Sequence, residues 1–502
     1  MRSLIVTLLL LAAPLAADDV GQVSFANSGA PEAQEPFLRG LALLHNFEYD
    51  SAAEAFREAQ RRDASFAMAY WGEAMTYTHP IWFQQDAAAA RAVLQRLGAT
   101  ADERLAKAKT ERERDYLRTL DVLYGDGAKQ ARDFLYAGAI AALHARYPDD
   151  VDAAAFHALA LLGTAHAGRD FATYMRAAAI LEEVLPAHPR HPGVLHYLIH
   201  SYDDPLHAPL GMRAARVYGS VAPNAGHALH MTSHIFIAMG MWDDVIDANR
   251  RAIEVVNRER AAKGKSPADC GHYPTWLHYG YLQQKRTDDA RKALDACRAA
   301  AFAPAMRNWI EAYATMRAYH AASGYPLTAA DAAVAIPDGE DYARARYMVA
   351  YGDVLGARDT EAMTRAVTQM RALQKGALAA IAKEDTAANP AERIAADVMQ
   401  QEAEALLLVA TNRRAMAIPI LETAANAERA MPLEFGPPVV PKPAAELLAE
   451  QLALAARLPE ALAAYELVLQ RTPGRTVAVE GLHRLQTEGV KREPPAPHVH
   501  VH

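Results

Sequence analysis

The residues best suited to chemistry in this chain are five histidines in two short motifs. The first motif carries His196 and His200, and the second carries His227, His230 and His234. Side chains three or four residues apart lie on one face of a helix, with Cβ atoms roughly 5–6 Å apart. Each motif therefore points its imidazoles in one direction, which is how a helix offers nitrogen ligands to a metal or polar groups to an organic ligand.

Helix geometry limits which of these histidines could share one ion. His227 and His234 are seven residues apart, or about 10 Å along a helix, which is too far for a single ion. Pairs four residues apart on neighbouring helices are better placed, because packed helices lie roughly 8–10 Å apart. Imidazoles without thiolate favour Zn²⁺ or Cu²⁺, and Fe²⁺ where a carboxylate joins them. The sequence therefore predicts a transition-metal site with four ligands: His196, His200, His230 and His234.

The loop after the first motif carries residues that could support such a site. Asp203, Asp204 and His207 lie there, and a carboxylate in this position could bind the ion or orient a ligand ring. The first motif resembles the H-E-x-x-H pattern of zinc proteases in spacing, but Tyr197 stands where the general base would be. No phosphate loop or G-x-S-x-G motif is present. The sequence predicts no particular reaction and leaves open whether the protein is an enzyme.

A repeated helical pattern supplies the elements that must position these histidines. Gly40 is followed by Ala52, Phe56 and Ala59, and Ala74 comes thirty-four residues after Gly40. Small residues at these spacings, with an aromatic residue between them, resemble the tetratricopeptide repeat, which is a pair of packed helices. We therefore expect an all-α fold, an α-solenoid of tetratricopeptide-like repeats with a concave groove. Similar units recur around residues 131–163, 214–252, 287–297 and 458–473.

Composition divides the rest of the chain. A short apolar run near the N-terminus, preceded by Arg2 and followed by small residues, is typical of a secretory signal peptide and is too short for a membrane span of about 20 residues. Five prolines and a glycine in 431–443 exclude a helix there, and we expect this extended segment to cross the groove or an edge. The predicted parts are a signal peptide (1–17), a linker (18–35), N-terminal repeats (36–130), histidine-rich central repeats (131–300), degenerate helical repeats (301–430), the extended segment (431–443), a C-terminal repeat (444–490) and a disordered tail (491–502).

Charge and cysteine content exclude some functions. The net charge is −8, with acids and bases interspersed and no basic run, so nucleic acid is not an expected partner. The signal peptide predicts a periplasmic or secreted protein with no membrane span after cleavage. Export would permit a disulfide, but Cys297 falls on an apolar helical face that needs a small buried residue. We therefore do not expect it to bond to Cys270.

Several strings resemble a group of exported bacterial tetratricopeptide proteins: residues 66–75, 191–200 and 227–236, and Lys442-Pro443 with Glu446. The resemblance implies the repeat fold, in which the first helix of each pair lines the groove, and it implies no substrate. Counting from the small residue of each repeat places further polar residues on the groove face. The repeat that contains His272 can be aligned in two registers, and only one of them places His272 on that face. These groove residues are His45, His79, His227, His272, Glu446 and Glu450.

Three functional hypotheses follow from these patterns. The first is a groove that binds a transition metal (zinc, copper or iron), with or without a small molecule or peptide, and that could serve a metal-dependent enzyme. The second is a metal-free scaffold that binds a peptide or a protein of the cell envelope. The third treats the histidines as interior hydrogen-bonding groups that only stabilise the fold. Binding is the expected general function, and metal binding is the sharpest form of it.

Overall fold

The computed structural model of the protein describes residues 19–302, 306–383, 389–433, 435–487 and 489, so the predicted signal peptide and tail lie outside the described residues. The described chain is helical almost throughout, as the all-α prediction requires, and no helix in it is long and apolar enough to cross a membrane. Two short strands, β1 (Thr78–His79) and β2 (Gln84–Gln85), pair antiparallel, and 3₁₀ turns span Pro80–Trp82 and Glu340–Tyr342. The α-helices are α1 (Pro31–His45), α2 (Tyr49–Arg62), α3 (Ala67–Met75), α4 (Ala87–Leu97), α5 (Ala101–Lys107), α6 (Glu111–Leu123), α7 (Lys129–Arg146), α8 (Val151–Leu162), α9 (Phe171–Val184), α10 (Pro192–Tyr202), α11 (Ala208–Val221), α12 (Gly226–Ala238), α13 (Trp242–Ala262), α14 (His272–Gln283), α15 (Thr287–Ala301), α16 (Arg307–Ala322), α17 (Ala329–Ala332), α18 (Ala343–Gly356), α19 (Thr360–Lys383), α20 (Asn389–Ala410), α21 (Arg414–Ala430), α22 (Ala444–Leu454), α23 (Leu458–Arg471) and α24 (Thr476–Thr487).

Helix pairing follows the small-residue pattern of the sequence. Apart from the short α17, each helix packs on its successor, and alternate helices such as α8, α10 and α12 also contact one another. In the first repeat, Phe56 of α2 is fully buried between Gly40 of α1 and Gly72 of α3. A Cβ added at these glycines would lie 2.9 Å and 2.3 Å from the Phe56 ring. The close contact between helices therefore depends on residues without a side chain.

Both ends of the solenoid pack back against its central repeats. Near the N-terminus, α1 contacts α10, and the Tyr218 hydroxyl of α11 donates to the side chain of Asn46 at 2.8 Å. Near the C-terminus, Arg475 donates to the Tyr279 hydroxyl of α14 at 2.9 Å. This curvature brings residues distant in sequence to α10, α12 and α14, the helices that carry the histidine motifs.

The N-terminal segment differs from the linker expected at 18–35. Phe25 is buried, and its ring packs against that of Tyr116 with centroids 5.2 Å apart. Helix α1 already begins at Pro31, because proline in the first turn starts a helix without losing a hydrogen bond. An extended segment shows no helical period in its sequence. Its burial depends on contacts with α3 and α6, which the sequence pattern did not indicate.

Cys270 and Cys297 form a disulfide, which corrects the expectation that they stay apart. Cys297 is fully buried on α15, as expected for its helical face, and Cys270 is buried in the loop before α14. The short turn between α14 and α15 returns the chain, so that the end of α15 lies beside the start of α14. The two cysteines are 27 residues apart, and only this helical hairpin brings them together.

Replacing Gly72 tests the close helix contact. Gly72→Ala should lower the free energy of unfolding by about 1–3 kcal/mol, because the new Cβ overlaps the Phe56 ring. Gly138→Ala in α7 is the matched control, since nothing lies within 4 Å of its added Cβ. That change should raise the free energy of unfolding by about 0.5–1 kcal/mol through helix propensity. Denaturant titration of both variants measures the difference, and similar effects would contradict the close contact.

Glu428 of α21 should make the stability of the fold depend on pH. It accepts a hydrogen bond from the backbone nitrogen of Ala444 at 2.7 Å, and burial raises its pKa from 4.5 to about 7. The folded state binds the Glu428 carboxyl proton more tightly than the unfolded state does. The stability that this proton contributes is therefore complete below pH 4.5 and is lost as the pH rises through 7. Glu428→Gln should therefore raise Tm at pH 8 and change it little at pH 5. Glu422→Gln, at a nearly half-exposed position of the same helix, should lack this difference, and an equal response would contradict the assignment.

Candidate metal centre

Six histidine rings from three helices meet at the centre of the solenoid. Helix α10 carries two of them one turn apart, α12 carries three, and α14 begins with the sixth. Contacting rings in this group have centroids between 4.6 and 6.0 Å apart. We name the group the six-histidine centre, and its members are His196, His200, His227, His230, His234 and His272.

Three buried histidines form the first triad of this centre. His196 and His200 come from α10, and His227 reaches them from α12. One ring nitrogen from each lies within 4.8 Å of those of the other two. A pair four residues apart with a third ring from the neighbouring helix is a set that one ion can bind through three nitrogens.

The second triad repeats this arrangement one helix further along. His230 and His234 come from α12, and His272 reaches them from the start of α14. The Nε2 atom of His230 lies 3.2 Å from that of His234 and 3.0 Å from that of His272. His230 and His234 are buried, whereas His272 is exposed.

The two triads adjoin each other, and their membership differs from the predicted single site. The His200 ring lies 5.5 Å from the His234 ring, and the His227 ring lies 6.0 Å from the His230 ring. Both predicted helical pairs are present, but each pair belongs to its own triad. A residue predicted only for the groove completes each one: His227 for the first triad and His272 for the second.

Asp203 holds one ring of each triad. Its Oδ2 atom accepts hydrogen bonds from Nδ1 of His234 at 2.9 Å and of His200 at 3.3 Å. The guanidinium of Arg169 binds its Oδ1 atom. Burial alone would raise the pKa of the Asp203 carboxyl, but Arg169 and the two imidazoles hold this pKa well below its usual range. Asp203 therefore lies where the sequence predicted a supporting carboxylate.

Two further rings are oriented by acceptors on their outer side. Nδ1 of His196 donates to the backbone carbonyl of His45 at 2.6 Å, and Nδ1 of His230 donates to Oδ1 of Asn249 at 2.7 Å. The Asn249 amide nitrogen donates to the Val245 carbonyl at 2.8 Å, so the amide oxygen faces the ring. Both partners can only accept here, which assigns the ring proton to Nδ1.

In these four rings the Nε2 lone pair points into the centre. A neutral imidazole carries one proton, so a ring that donates through Nδ1 is an acceptor at Nε2. Among the described residues, nothing donates to the buried Nε2 atoms of His196 and His200. In the second triad, the lone pairs of His230 and His234 face each other at 3.2 Å. The Nε2 atom of His272 can donate to that of His230 at 3.0 Å, so the unpaired atoms of this group are those of His196 and His200. Unpaired polar atoms in an apolar site are costly, and a bound cation would satisfy all four lone pairs.

Burial favours the neutral form of four imidazoles, those of His196, His227, His230 and His234. Desolvation lowers the pKa of His196, His227 and His230 well below 6.5, and neighbouring imidazoles lower it further. Desolvation also lowers the pKa of His234 to about 4, although the bond to Asp203 opposes this shift. At neutral pH these rings are therefore in the form that binds metal ions.

Aromatic side chains surround the six-histidine centre. The Phe47 ring lies 4.2 Å from the His196 ring, and the Trp276 ring stacks on His234 at 4.7 Å. On another side Phe435 stacks on His234 at 4.8 Å. Phe435 belongs to the proline-rich extended segment, which therefore crosses the groove at this point. These rings give the centre apolar walls.

Asp204 and His207, also predicted to support the metal, lie one step away from the centre. Asp204 accepts a hydrogen bond from Nδ1 of His207 at 2.9 Å and another from Arg169 at 3.4 Å. Since Arg169 also binds Asp203, Asp204 supports the guanidinium that holds Asp203, and His207 acts only on Asp204.

Three of the predicted groove residues have other partners. The His79 ring stacks on an aromatic neighbour outside both triads, with centroids 3.9 Å apart. Glu446 is fully buried and pairs with Arg475 at 2.5 Å and with Lys442 at 2.9 Å. Glu450 pairs with the same lysine at 2.5 Å. Both glutamates thus neutralise buried or nearly buried cations behind the extended segment.

A further cluster contains His45 but has the wrong proton arrangement for a metal. Nε2 of His45 and Nε2 of His191 lie 2.9 Å and 3.3 Å from Oδ1 of Asp152. However, Nδ1 of His191 accepts a hydrogen bond from the backbone nitrogen of Val194 at 3.4 Å, which places the ring proton on Nε2. This cluster is a hydrogen-bonded carboxylate, and His45 serves the centre through its carbonyl on His196.

Sequence reasoning missed the groups that orient and cover the rings. Asn249 carried a usable signal, because an asparagine among the apolar positions of a repeat's second helix needs a buried partner. Phe47, Trp276 and Phe435 carried none, since each is an ordinary core aromatic until the curvature of the solenoid places it against an imidazole.

Comparison with known proteins identifies no family for this chain. No family model matches it, and no curated protein is similar to it in sequence. Among solved structures, it is similar to the Cut9–Hcn1 hetero-tetramer of the APC/C (13% identity, TM-score 0.36, 92% of this chain and 78% of that one). It is also similar to the TPR domain of P58(IPK) (12%, 0.22, 92% and 99%) and to yeast Tom70 (11%, 0.32, 91% and 96%). Values this low support no statement about a shared function.

The tautomers of the centre can be measured in the metal-free protein at neutral pH. Long-range ¹H–¹⁵N spectra of histidine-labelled protein should show His196, His200, His230 and His234 protonated at Nδ1, because each faces an acceptor there. His191 is the internal control and should be protonated at Nε2. Protonation at Nε2 in most of the four rings would contradict the lone-pair arrangement.

Proposed function

We propose that this protein binds two transition-metal ions, one in each triad of the six-histidine centre. The observation that supports this proposal is twofold. The outer ring nitrogens donate to a carboxylate, an amide oxygen and a carbonyl, and the inner Nε2 atoms converge, those of His196 and His200 with no hydrogen-bond partner among the described residues. Metal-binding histidines have this pattern because a hydrogen-bonded Nδ1–H orients the ring and makes Nε2 more basic. Three protein ligands also leave a coordination position open on each ion.

The ligand set favours copper or zinc over the other candidates. Imidazole suits zinc, copper and iron, but the common non-haem iron site adds a carboxylate ligand. Asp203 is the nearest carboxylate to both triads, and its oxygens already bind Arg169 and two Nδ1–H groups. Magnesium, calcium and manganese prefer oxygen ligands. The open position on each ion suits catalysis as well as storage or transport, and no reaction is assigned to it.

We also infer that the protein is exported. The support is the signal-like composition of residues 1–17 and the Cys270–Cys297 disulfide, since disulfides persist mainly in oxidising compartments such as the periplasm.

A partner-binding scaffold of the cell envelope is the second candidate function. Phe134 and Leu135 of α7 are 57% and 62% exposed, as on a surface that receives a protein or peptide. The concave groove itself is occupied beside the histidines by the extended segment, through Phe435. A peptide partner would therefore bind elsewhere or displace this segment, which favours metal binding as the role of the histidines.

Metal content of protein isolated from the periplasm without an affinity tag or chelator tests the first proposal. We expect two equivalents of copper or zinc per chain, and a chain mass that lacks about 17 N-terminal residues. His227→Ala and His272→Ala should each retain one equivalent, because each removes a ligand from one triad only. His79→Ala is the matched control outside both triads and should retain two.

Other outcomes would separate the alternatives. One equivalent that survives both His227→Ala and His272→Ala would favour the single four-ligand site over two triads. Metal-free protein that takes up neither added Cu²⁺ nor added Zn²⁺ would overturn metal binding and leave the scaffold as the function to test.

A further inference from the structure

We propose, on the basis of the two-ion centre above, that the centre binds a small anion that bridges the two metals, and that hydroxide fills this position in water. The centre would then be an anion-binding site in which other small anions can replace the hydroxide, rather than two separate metal-storage sites.

Charge is the first reason for an anion. Six neutral imidazoles contribute no charge, so two divalent ions would place four positive charges among six rings of which five are buried. Asp203 and Asp204 share the single cation Arg169, which leaves one net negative charge beside the centre. Buried charge without compensation is strongly unfavourable. An anion bound to the metals would lower this cost.

The protein offers no carboxylate of its own for the bridging position. Both oxygens of Asp203 are occupied on the outer side of the rings, by Arg169 and by two Nδ1–H groups. Glu48 is also near the first triad, but it accepts a hydrogen bond from the backbone nitrogen of His227 at 2.9 Å and so faces the start of α12. In the part of the chain that the structure describes, both nearby carboxylates are therefore committed elsewhere.

Because the two triads are in contact, two bound ions would have their open coordination positions near each other. His200 and His234, one from each triad, bind the same oxygen of Asp203, and their rings are 5.5 Å apart. Phe47 and Phe435 pack against the centre on different sides, so the space for a ligand is small. A divalent ion held here would lower the pKa of a bound water towards 7, and hydroxide would then remain once that proton passed to solvent.

Copper loading tests the bridge directly, because a bridging ligand couples two Cu²⁺ spins. Wild-type protein loaded with Cu²⁺ should hold two coppers per chain by elemental analysis, yet its integrated EPR signal should fall well below one spin per copper. Titration with azide, followed by its charge-transfer absorption, should saturate at one azide per two coppers. His272→Ala should hold one copper with a full single spin, and His227→Ala gives the same control through the other triad.

The alternative outcomes are distinguishable. Two coppers with two full spins, or one azide per copper, would overturn the bridge and leave the proposed function intact. Failure to bind copper would overturn the bridge together with a copper centre, and the same loading with Zn²⁺ shows whether the metal proposal itself survives.

Discussion

The six-histidine centre depends on the ion pair and the hydrogen bonds of the Asp203 carboxylate. This group is buried, and a buried carboxylate is stable only when charged and hydrogen-bonding partners replace water. Arg169 supplies the charge, and one imidazole from each triad supplies a hydrogen bond. In satisfying this one group, the protein fixes the tautomer and orientation of His200 and His234 and holds the two triads side by side.

The solenoid makes this arrangement possible by curving back on itself. The inner helices α10, α12 and α14 present imidazoles at one-turn spacing, but the residues that orient and cover them come from distant repeats. The carbonyl of His45 arrives with the first repeat, and Phe435 arrives with the extended segment after α21. The centre therefore belongs to the whole superhelix, and disruption of either end should reach it through packing.

The direction of each ring's hydrogen bond distinguishes the six-histidine centre from the cluster around Asp152. His191 and His45 crowd a carboxylate as closely as His200 and His234 do, yet His191 accepts through Nδ1 and so carries its proton on Nε2. The spacing of histidines in the sequence does not show which ring nitrogen carries the proton, because that depends on the hydrogen-bond partner at the outer side of the ring. His230 is the opposite case. Its Nδ1–H donates to the Asn249 oxygen, so the lone pair of its Nε2 atom points into the centre.

The sequence by itself determined the all-helical fold, the pairing of the clearest repeats and the helix faces on which the histidines of α10 and α12 lie. These features are local: the place of Phe56 between small residues and the one-turn spacing of His196 and His200 both follow from the helical period. The tertiary structure alone decided that His227 joins the α10 pair and His272 the α12 pair, and that two cysteines meet. These contacts depend on the angle between successive repeats and on where the superhelix returns. Both are set by packing summed over the whole chain, which no local pattern encodes.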